Sequence, residues 1–363
     1  MIRNVLIAAL LASVPLAAPA SAAGGTLKMV SVDMEGGGGT LFVTPEGRSL
    51  LIDTGSPNRN VPNYGLDGAR YGLDRIIAAA KSLGVSKIDY LIITHYHADH
   101  IGGVIDLLQR MPVGTVIDHG PNRDRPFPDQ PPDSVGNRMA QDSILAYANY
   151  LAAIKGHRHI VAKPGAVYHF GTLTDTIVAS DGRVIAHPLP GAGGSGARCD
   201  TPPMTENGGL ENEKSVGSIL RFGKVSIAAL GDLTWNREHE LFCPIDKVGH
   251  VNILIVTNHG LGVSSNPASI AAMRPDIAVI GNSAKKGDVP ATFNLINNSP
   301  GLKGFWKLHA SADDPALTGD PDFIANLEPS PDQGHTISLD IARDGRVTVT
   351  NGRNGFNKTY IVQ

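Results

Sequence analysis

Residues 91–103 read LIITHYHADHIGG, a stretch in which three histidines and one aspartate lie within six residues. The apolar run before them predicts a buried strand, and the Gly-Gly pair after them leads into a predicted helix, HIGGVIDLLQR. Histidine and carboxylate groups are ligands for zinc and similar divalent ions. A tight turn after the strand can direct His95 and His97 to one side and Asp99 and His100 to the other. The stretch therefore predicts two adjacent halves of a metal centre rather than a solvated loop.

Two distant segments repeat this arrangement, with a polar residue at the end of an apolar strand. The run AALGDLTW places Asp232 after one strand, and ILIVTNHG places His259 after another. Each stretch alone is weak evidence for a metal site, since a single aspartate at a strand end is most often a turn or helix cap and a single histidine is most often structural. Together with the His-rich turn they predict one shared centre for two divalent ions, with zinc favoured over manganese or iron.

The rest of the chain is a succession of short strands and helices. Helices are predicted over 73–83 and 138–154, and strand and helix signals alternate in the second half of the chain. Loops at 121–133 and 188–210 are expected to shape the mouth of the cleft. Because the strands occur in two groups, we predict an α/β fold in which two sheets pack together with helices outside them, as one domain over 23–363.

The N-terminal segment predicts export. A short basic start, MIRN, precedes the apolar stretch VLIAALLASVPLAA, and small residues at 20–22 fit a cleavage site, so residues 1–22 are expected to form a signal peptide. The alternative is an uncleaved anchor helix, which Pro15 and the short apolar length disfavour. No later segment is predicted to span a membrane. We therefore expect a periplasmic or secreted protein.

The composition does not support a nucleic-acid-binding protein. The formal net charge is −3 and aromatic residues make up 5% of the chain, so neither a basic face nor a set of stacking rings is indicated. We expect a small-molecule or phosphodiester substrate instead. The sequence does not indicate an oligomeric state.

The chain has two cysteines, Cys199 and Cys243, both in loop-like sequence on either side of a predicted hairpin. In an oxidising compartment such a pair favours a disulfide over two unpaired thiols. No base motif accompanies either residue, so neither is predicted to be a nucleophile.

The polar strand ends resemble those of the metallo-β-lactamase superfamily of hydrolases. The matching stretches are LIDTG at 51–55, THYHADHIGG at 94–103, LGDL at 230–233 and TNHG at 257–260, in the order usual for the family. The resemblance implies a four-layer αββα sandwich of two mixed β-sheets flanked by helices. It also implies a hydrolase with a dinuclear centre and a bridging hydroxide.

The same resemblance implies a role for each residue of the centre. The ligands that it assigns are His95 and His97 for the first ion, Asp99, His100 and His259 for the second, and Asp232 bridging both. Asp99 and Asp232 would be the catalytic residues. Asp53, in LIDTG, would make a hydrogen bond that holds a ligand or the turn, and its alternative is a plain turn residue.

One position departs from the family pattern. Many members have a third histidine for the first ion just before the strand SVGSILRF, where this chain has Asn212. The first ion is then completed by water, by Asn212 or by another histidine. His119 is the best substitute, because VIDHG ends a strand as the ligand segments do, and His187 is the second. For His119, a role as ligand or cleft residue and an ordinary loop role both stay open.

Three further stretches resemble one branch of the superfamily, namely VDMEGGGGTLFVTPEGRSLLIDTG, ENEKSVGSILRFGKVSIAALGDLTW and GNSAKKGD. This branch contains the extracellular hydrolase domain of bacterial DNA-uptake competence proteins and the phosphorylcholine esterase that trims teichoic acid. The resemblance implies phosphodiester hydrolysis. The alternatives are hydrolysis of a lactone, β-lactam or other C–O or C–N bond, and a non-catalytic metal-binding protein.

Two places outside the centre offer candidate substrate-binding residues. Lys285 and Lys286 form a lysine pair that could bind a phosphate, and the alternative is a solvated lysine pair. His309, in FWKLHASADD, is a candidate cleft residue, and its alternative is a surface loop.

Overall fold

The computed structural model describes residues 25–56, 72–205, 210–328 and 334–363, and the expected signal peptide, 1–22, lies outside the described residues. The strands are β1 (Leu27–Ser31), β2 (Thr40–Val43), β3 (Ser49–Ile52), β4 (Ile88–Ile92), β5 (Val113–Asp118), β6 (Arg158–Val161), β7 (Val167–Phe170), β8 (Leu173–Ser180), β9 (Arg183–Val184), β10 (Gly217–Phe222), β11 (Val225–Ala229), β12 (Ile253–Ile255), β13 (Ile277–Ile280), β14 (Gly304–His309), β15 (Ile324–Asn326), β16 (Ile337–Ile341), β17 (Arg346–Asn351) and β18 (Asn357–Ile361). The helices are α1 (Gly72–Ser82), α2 (Ala98–Ile101), α3 (Val104–Arg110), α4 (Val135–Ala153), α5 (Trp235–Phe242), α6 (Pro267–Met273) and α7 (Pro290–Asn297).

These strands form two mixed sheets. The first has the order β18-β17-β16-β1-β2-β3-β4-β5-β6, and the second has the order β15-β14-β13-β12-β11-β10-β8-β7, with β9 beside β8. In the first sheet β3 to β6 run parallel, and in the second β11 to β15 do. The other neighbouring strands are antiparallel.

Alternation along the strands divides the apolar residues into three layers. In β3, Leu50 faces the second sheet while Leu51 faces the helices. In β12, Ile253 faces the first sheet while Leu254 faces the helices. The middle layer joins both sheets and contains Trp306, which is fully buried. Burial of this middle layer holds the two sheets together, and the two outer layers bind the helices to them.

Helices cover the outer face of each sheet. Apolar residues of α1 and α4 pack on the first sheet, and those of α5, α6 and α7 pack on the second. The structure is an αββα sandwich, and the fold prediction is confirmed. Within the described ranges, no helix has the length and apolarity needed to cross a bilayer.

The parallel strands bring the predicted site residues together. Strands β3 and β4 are neighbours, and so are β11 and β12, and each of these strands ends just before a residue assigned to the centre. The carboxyl ends of parallel neighbours lie at one edge of a sheet. Since the two sheets are stacked, the edge that carries Asp53 and His95 faces the edge that carries Asp232 and His259.

The segment after the His-rich turn differs from the single predicted helix. It forms two short helices, α2 and α3, separated at Gly102 and Gly103. A Cβ atom added at Gly103 would lie 2.3 Å from the carbonyl oxygen of Thr54, so only glycine permits this approach. The break lets the turn pack directly on the end of β3.

Candidate metal centre

The His-rich turn places four polar side chains in the interior. His95, His97, Asp99 and His100 are between 0% and 4% exposed, although each is strongly polar. His95 Nε2 lies 3.0 Å from His97 Nδ1. His100 Nε2 lies 3.5 Å from the Oδ2 atom of Asp99. Buried polar atoms at such distances need partners, and a divalent cation bound between them would supply one.

Asp232 and His259 complete this cluster from the second sheet. His100 Nε2 lies 3.1 Å from His259 Nε2 and 3.3 Å from Asp232 Oδ1. The other carboxylate oxygen of Asp232, Oδ2, lies 3.9 Å from His95 Nε2. One oxygen of Asp232 thus faces His100 and the other faces His95, as a residue that bridges two ions must do.

Three sets of three donors in the described part of the chain meet the distance requirement for an ion, and two of them lie at this centre. His95, His100 and Asp232 form one set, and Asp99, His100 and His259 form the other, with all donor atoms of a set within 4.8 Å of one another. Nitrogen and carboxylate oxygen donors of this kind suit a divalent transition metal. The residues present therefore fit the metal ions that the fold implies.

Second partners fix the orientation of His100 and His259. His100 Nδ1 lies 2.7 Å from Asp53 Oδ2, and His259 Nδ1 lies 3.0 Å from the carbonyl oxygen of Gly281. An ionised carboxylate and a carbonyl can only accept, so Nδ1 carries a proton in both rings and Nε2 is the nitrogen that an ion would bind. The left-handed backbone at His259, with φ 53°, turns this side chain inward.

His95 and His97 have outer partners as well. The hydroxyl of Thr94 donates to Asp53 Oδ2 at 2.7 Å, and its oxygen lies 3.1 Å from His95 Nδ1. His97 Nε2 lies 3.4 Å from Asp124 Oδ2, and both atoms are otherwise without a hydrogen-bond partner among the described residues. His95 Nε2 and His97 Nδ1 are then the nitrogens that face the centre.

The electrostatics of the cluster keep its carboxylates ionised. Burial alone would raise the pKa of Asp232, but His100 and His259 hold that pKa well below its usual range. Burial likewise opposes ionisation of Asp99, yet Lys286 and His100 hold its pKa well below normal. Conversely, Asp232 and Asp99 outweigh burial and raise the pKa of His100 well above its ordinary value. A bound cation would therefore displace a proton from His100.

The lysine that reaches the centre is Lys286, not Lys285. The ammonium group of Lys286 contacts Asp99 Oδ2 and donates to the carbonyl oxygen of Gly36 at 2.7 Å. Lys285 is exposed, and its backbone amide donates to Ser283 Oγ at 3.3 Å. The structure thus does not bring the predicted residue Lys285 to the site, because the turn directs the second lysine of the pair inward.

Asn212 occupies the wall of the centre. It is 6% exposed and lines the same cavity as His97 and Asp232. Its Oδ1 atom is buried with no hydrogen-bond partner in the described part of the chain. Asn212 thus has a buried amide oxygen without a partner and lines the cavity together with His97.

His119 does not take part in the centre. Its Nε2 atom lies 2.9 Å from Glu211 Oε2, and its ring packs on Tyr96 with 4.5 Å between the centroids. Glu211 also accepts from the backbone amides of Tyr96 and Arg123. The ring therefore helps to hold the turn on the side away from the cavity. Of the three residues that the sequence offered, His187 is exposed and Asn212 lines the cavity.

His309 also lies away from the cavity. Its Nε2 atom lies 2.8 Å from Asp33 Oδ1, and its side chain is 1% exposed. Arg75 lies 2.9 Å from Asp33 and 3.1 Å from Glu35, so the cluster has its own cation. This group is a buried ion network, and the structure does not bring His309 to the cavity of the centre.

Sequence reasoning missed two contributors to the centre. Asp124 lies in the predicted surface loop 121–133, yet it is buried and its Oδ1 accepts from the amides of Leu210 and Glu211 at 2.8 and 3.2 Å. Gly38, in the glycine run, packs so closely that an added Cβ would lie 2.7 Å from His100 Nδ1. The run of four glycines was the one available signal for such an approach, and nothing in the loop distinguishes Asp124 from its neighbours.

The two cysteines form a disulfide. Cys199 and Cys243 are bonded, and the bond ties the loop before residue 205 to the end of α5. Trp235 Nε1 donates to the carbonyl oxygen of Pro202 in the same loop at 3.0 Å. The loop is therefore fastened to the outer helix layer.

An αββα sandwich with a His and Asp cluster between its sheet edges is the arrangement expected of metal-dependent hydrolases built on the metallo-β-lactamase fold. In agreement, the family model described as the metallo-beta-lactamase superfamily matches residues 35–202. The match covers less than half of this chain, and together with the fold it supports a hydrolase as the class of enzyme.

The chain is also similar to individual proteins. It is 47% identical over 57 residues to a hydroxyacylglutathione hydrolase of Synechococcus sp. (strain WH7803), which is 15% of this chain and 22% of that protein. It is 34% identical over 86 residues to thioesterase pkgB of Emericella nidulans, which is 24% of this chain and 22% of that protein. The chain thus matches about a fifth of the length of these curated relatives. A solved structure of a diphosphatase from the PhnP family is 14% identical, with a TM-score of 0.40 over 87% of this chain and 98% of that chain.

Proposed function

We propose that this protein is an exported hydrolase with a dinuclear zinc centre that cleaves a phosphodiester. The observation that carries the proposal is the pair of donor sets, His95 with Asp232 and Asp99 with His259, which adjoin at His100. A structural metal site is closed by four ligands around one ion. Two adjoining sets of donors beside a cavity fit a catalytic metal site better than a structural one.

The residues of the chain would divide the work as follows. Two divalent ions, when bound, lower the pKa of water and polarise an oxygen of the substrate. Asp232 would hold the two halves of the centre at a fixed separation through its two carboxylate oxygens. Asp53 and the carbonyl of Gly281 keep the protons of His100 and His259 on Nδ1, so Nε2 is free to bind. The cavity beside His97 admits the substrate to the open side.

The phosphodiester is supported by the chain's resemblance to the competence-protein and phosphorylcholine esterase branch. The lysine at the centre, Lys286, also favours an anionic substrate over a neutral one. A thioester is the second candidate, because the two curated relatives are a hydroxyacylglutathione hydrolase and a thioesterase. Both substrates use the same centre and differ in the bond that is cleaved.

The proposals that the metal is zinc and that the protein is exported rest on different observations. Four histidines and two aspartates form a donor set that suits zinc, and manganese or iron are the alternatives. The disulfide between Cys199 and Cys243 fits an oxidising compartment, as the predicted signal peptide at 1–22 requires. We propose that residues 23–363 form the exported domain. Metal analysis of protein purified without added metal would test the ion, and N-terminal sequencing of protein recovered outside the cytoplasm would test cleavage near Ala22.

The activity is tested with four chromogenic substrates: a phosphodiester, a thioester, a lactone and a cephalosporin. Each is assayed with and without a chelator, in the wild type and in the variants Asp232→Asn and Asp200→Asn. We expect phosphodiester turnover that the chelator abolishes and that Asp232→Asn lowers on the order of a hundredfold or more. Asp200 is exposed and outside the centre, so its variant is the matched control.

Each outcome has a distinct meaning. Turnover of the thioester alone would replace the first candidate by the second. Turnover of no substrate, with two ions bound, would favour a non-catalytic metal-binding protein. Phosphodiester turnover that survives in Asp232→Asn at the wild-type rate would refute the assignment of the centre.

A further inference from the structure

The cavity beside the centre contains two cationic side chains. Its floor is formed by His97, Asp99 and Asp232, and Lys286 and Arg138 contribute to its wall. Lys286 follows β13 in the second sheet, whereas Arg138 lies in α4 against the first. The cations thus come to one cavity from different layers of the fold.

Lys286 contacts Asp99, a residue assigned to the centre, so its surroundings depend on whether an ion is bound there. Its ammonium group contacts Asp99 Oδ2, and the same oxygen lies 3.5 Å from both His100 Nε2 and His259 Nε2. An ion held by these donors would repel the ammonium group and weaken its contact with Asp99. The hydrogen bond from Lys286 to Gly36 O, 2.7 Å long, does not involve the centre and would keep the lysine at the cavity wall.

Arg138 has unused hydrogen-bonding capacity. One terminal nitrogen of its guanidinium donates to the carbonyl oxygen of Asp133, while its Nε atom is buried with no hydrogen-bond partner in the described ranges. A buried donor without an acceptor is costly, and a guanidinium group prefers to donate to an oxyanion. The acceptor that is missing here is one that a substrate could bring.

The charges of the cavity favour an anion once the ions are bound. The bound cations would then balance the negative charges of Asp99 and Asp232. Among the described lining residues this leaves one further carboxylate, Asp142, against Lys286 and Arg138. The fixed charge of the wall is therefore positive.

Apolar side chains form the remaining wall. They are Val135, Met139, Leu261 and Val263. Val135, the first residue of α4, is 62% exposed at the edge of this wall. A substrate with an apolar substituent would cover this surface.

We infer that Lys286 and Arg138 form an anion-binding subsite that selects a phosphodiester with an apolar substituent. The inference rests on the proposed function, since it names the substrate class of the same centre. In the metal-free protein Lys286 serves as the counter-cation of Asp99, and metal binding releases it toward the substrate. Metal binding and anion binding are then coupled, because each removes a cost from the other.

The first arm of the test measures zinc binding without substrate. Full-chain protein is titrated with zinc in the presence of a competing chromogenic chelator, for the wild type, Lys286→Gln, Lys286→Arg and Lys285→Gln. Removal of the competing ammonium group in Lys286→Gln should tighten zinc binding several-fold, while Lys286→Arg and the exposed control Lys285→Gln should match the wild type. Equal affinities for Lys286→Gln and Lys285→Gln would overturn the coupling.

The second arm measures binding of phenylphosphonate and methylphosphonate to the zinc-loaded protein by calorimetry. Lys286→Gln and Arg138→Gln should each weaken phenylphosphonate about tenfold, as expected for loss of a charged hydrogen bond. Phenylphosphonate should bind more tightly than methylphosphonate, and Val135→Ser should reduce that difference. Unchanged binding in both cation variants would overturn the subsite. No turnover is measured in this arm, so a failure of the subsite is distinguishable from a failure of phosphodiester hydrolysis.

Discussion

Asp53→Asn is the most informative substitution, because it changes the centre without removing a ligand. Asp53 Oδ2 accepts from Thr94 Oγ1 and pairs with His100 Nδ1, both at 2.7 Å, and Oδ1 accepts from the amide of Thr94 at 2.8 Å. Asparagine has the same shape but only one acceptor oxygen. In either orientation of the amide, its NH2 group faces a donor.

The cost of this change can be worked from the contacts. If the NH2 group faces His100, the ring must shift its proton from Nδ1 to Nε2, and Nε2 then has no lone pair for an ion. If it faces the amide of Thr94 instead, a buried donor of the turn loses its acceptor. Loss of such an outer partner typically lowers metal affinity by about 10- to 100-fold, which is ~1.4–2.7 kcal/mol.

The assay is a zinc titration against a chromogenic chelator, with bound metal counted by elemental analysis. We expect one of the two ions to bind more weakly in Asp53→Asn and the other to be less affected, since Asp53 holds His100 directly. Asp129→Asn, at an exposed aspartate, is the control. Thermal unfolding of the metal-free variants separates a loss of folding from a loss of affinity. Wild-type affinity at both ions in a folded Asp53→Asn variant would refute the reasoning.

Three further predictions follow from single contacts. Asp124→Ala should weaken the ion held by His97, measured by the same titration, whereas the exposed Asp129→Ala should not. Asn212→His should strengthen that ion by adding a nitrogen donor; an unchanged affinity would show that this position does not face it. Burial raises the pKa of Asp175 to about 7 from 3.8, so the folded protein keeps a proton that the unfolded chain releases. Stability should therefore fall as the pH rises from about 4 to about 7, by an amount on the order of a few kcal/mol, and urea unfolding of Asp175→Asn should show a flatter profile.

The convergence of the ligands could be predicted because it follows from strand geometry. The apolar runs before His95, Asp232 and His259 indicate buried strands, and polar residues directly after such strands lie at a sheet edge. Two groups of strands imply two sheets, and stacking the sheets brings their edges together. None of these steps requires the position of a particular side chain.

The outer partners could not be predicted, because they depend on which way a loop side chain points. Asp124, Asp129 and Asp133 lie in one Pro-rich loop, and only the fold shows that Asp124 is buried against His97. The two histidines at strand ends, His119 and His309, have the same sequence context as the ligands. Each instead finds a buried carboxylate of its own, which periodicity does not reveal.

The outer partners also make the two halves of the centre unequal. His100 and His259 have accepting oxygens at 2.7 and 3.0 Å, whereas the carboxylate beside His97 lies at 3.4 Å. If Asn212 completes the half with His97, as proposed, it adds a neutral amide oxygen, which is a weaker zinc donor than an imidazole nitrogen. The half with Asp99 and two well-oriented histidines should therefore bind its ion first. Under the proposed dinuclear centre, the departure at Asn212 would therefore act on the order in which the ions bind, while the position assigned to Asp232 would be the same for either half.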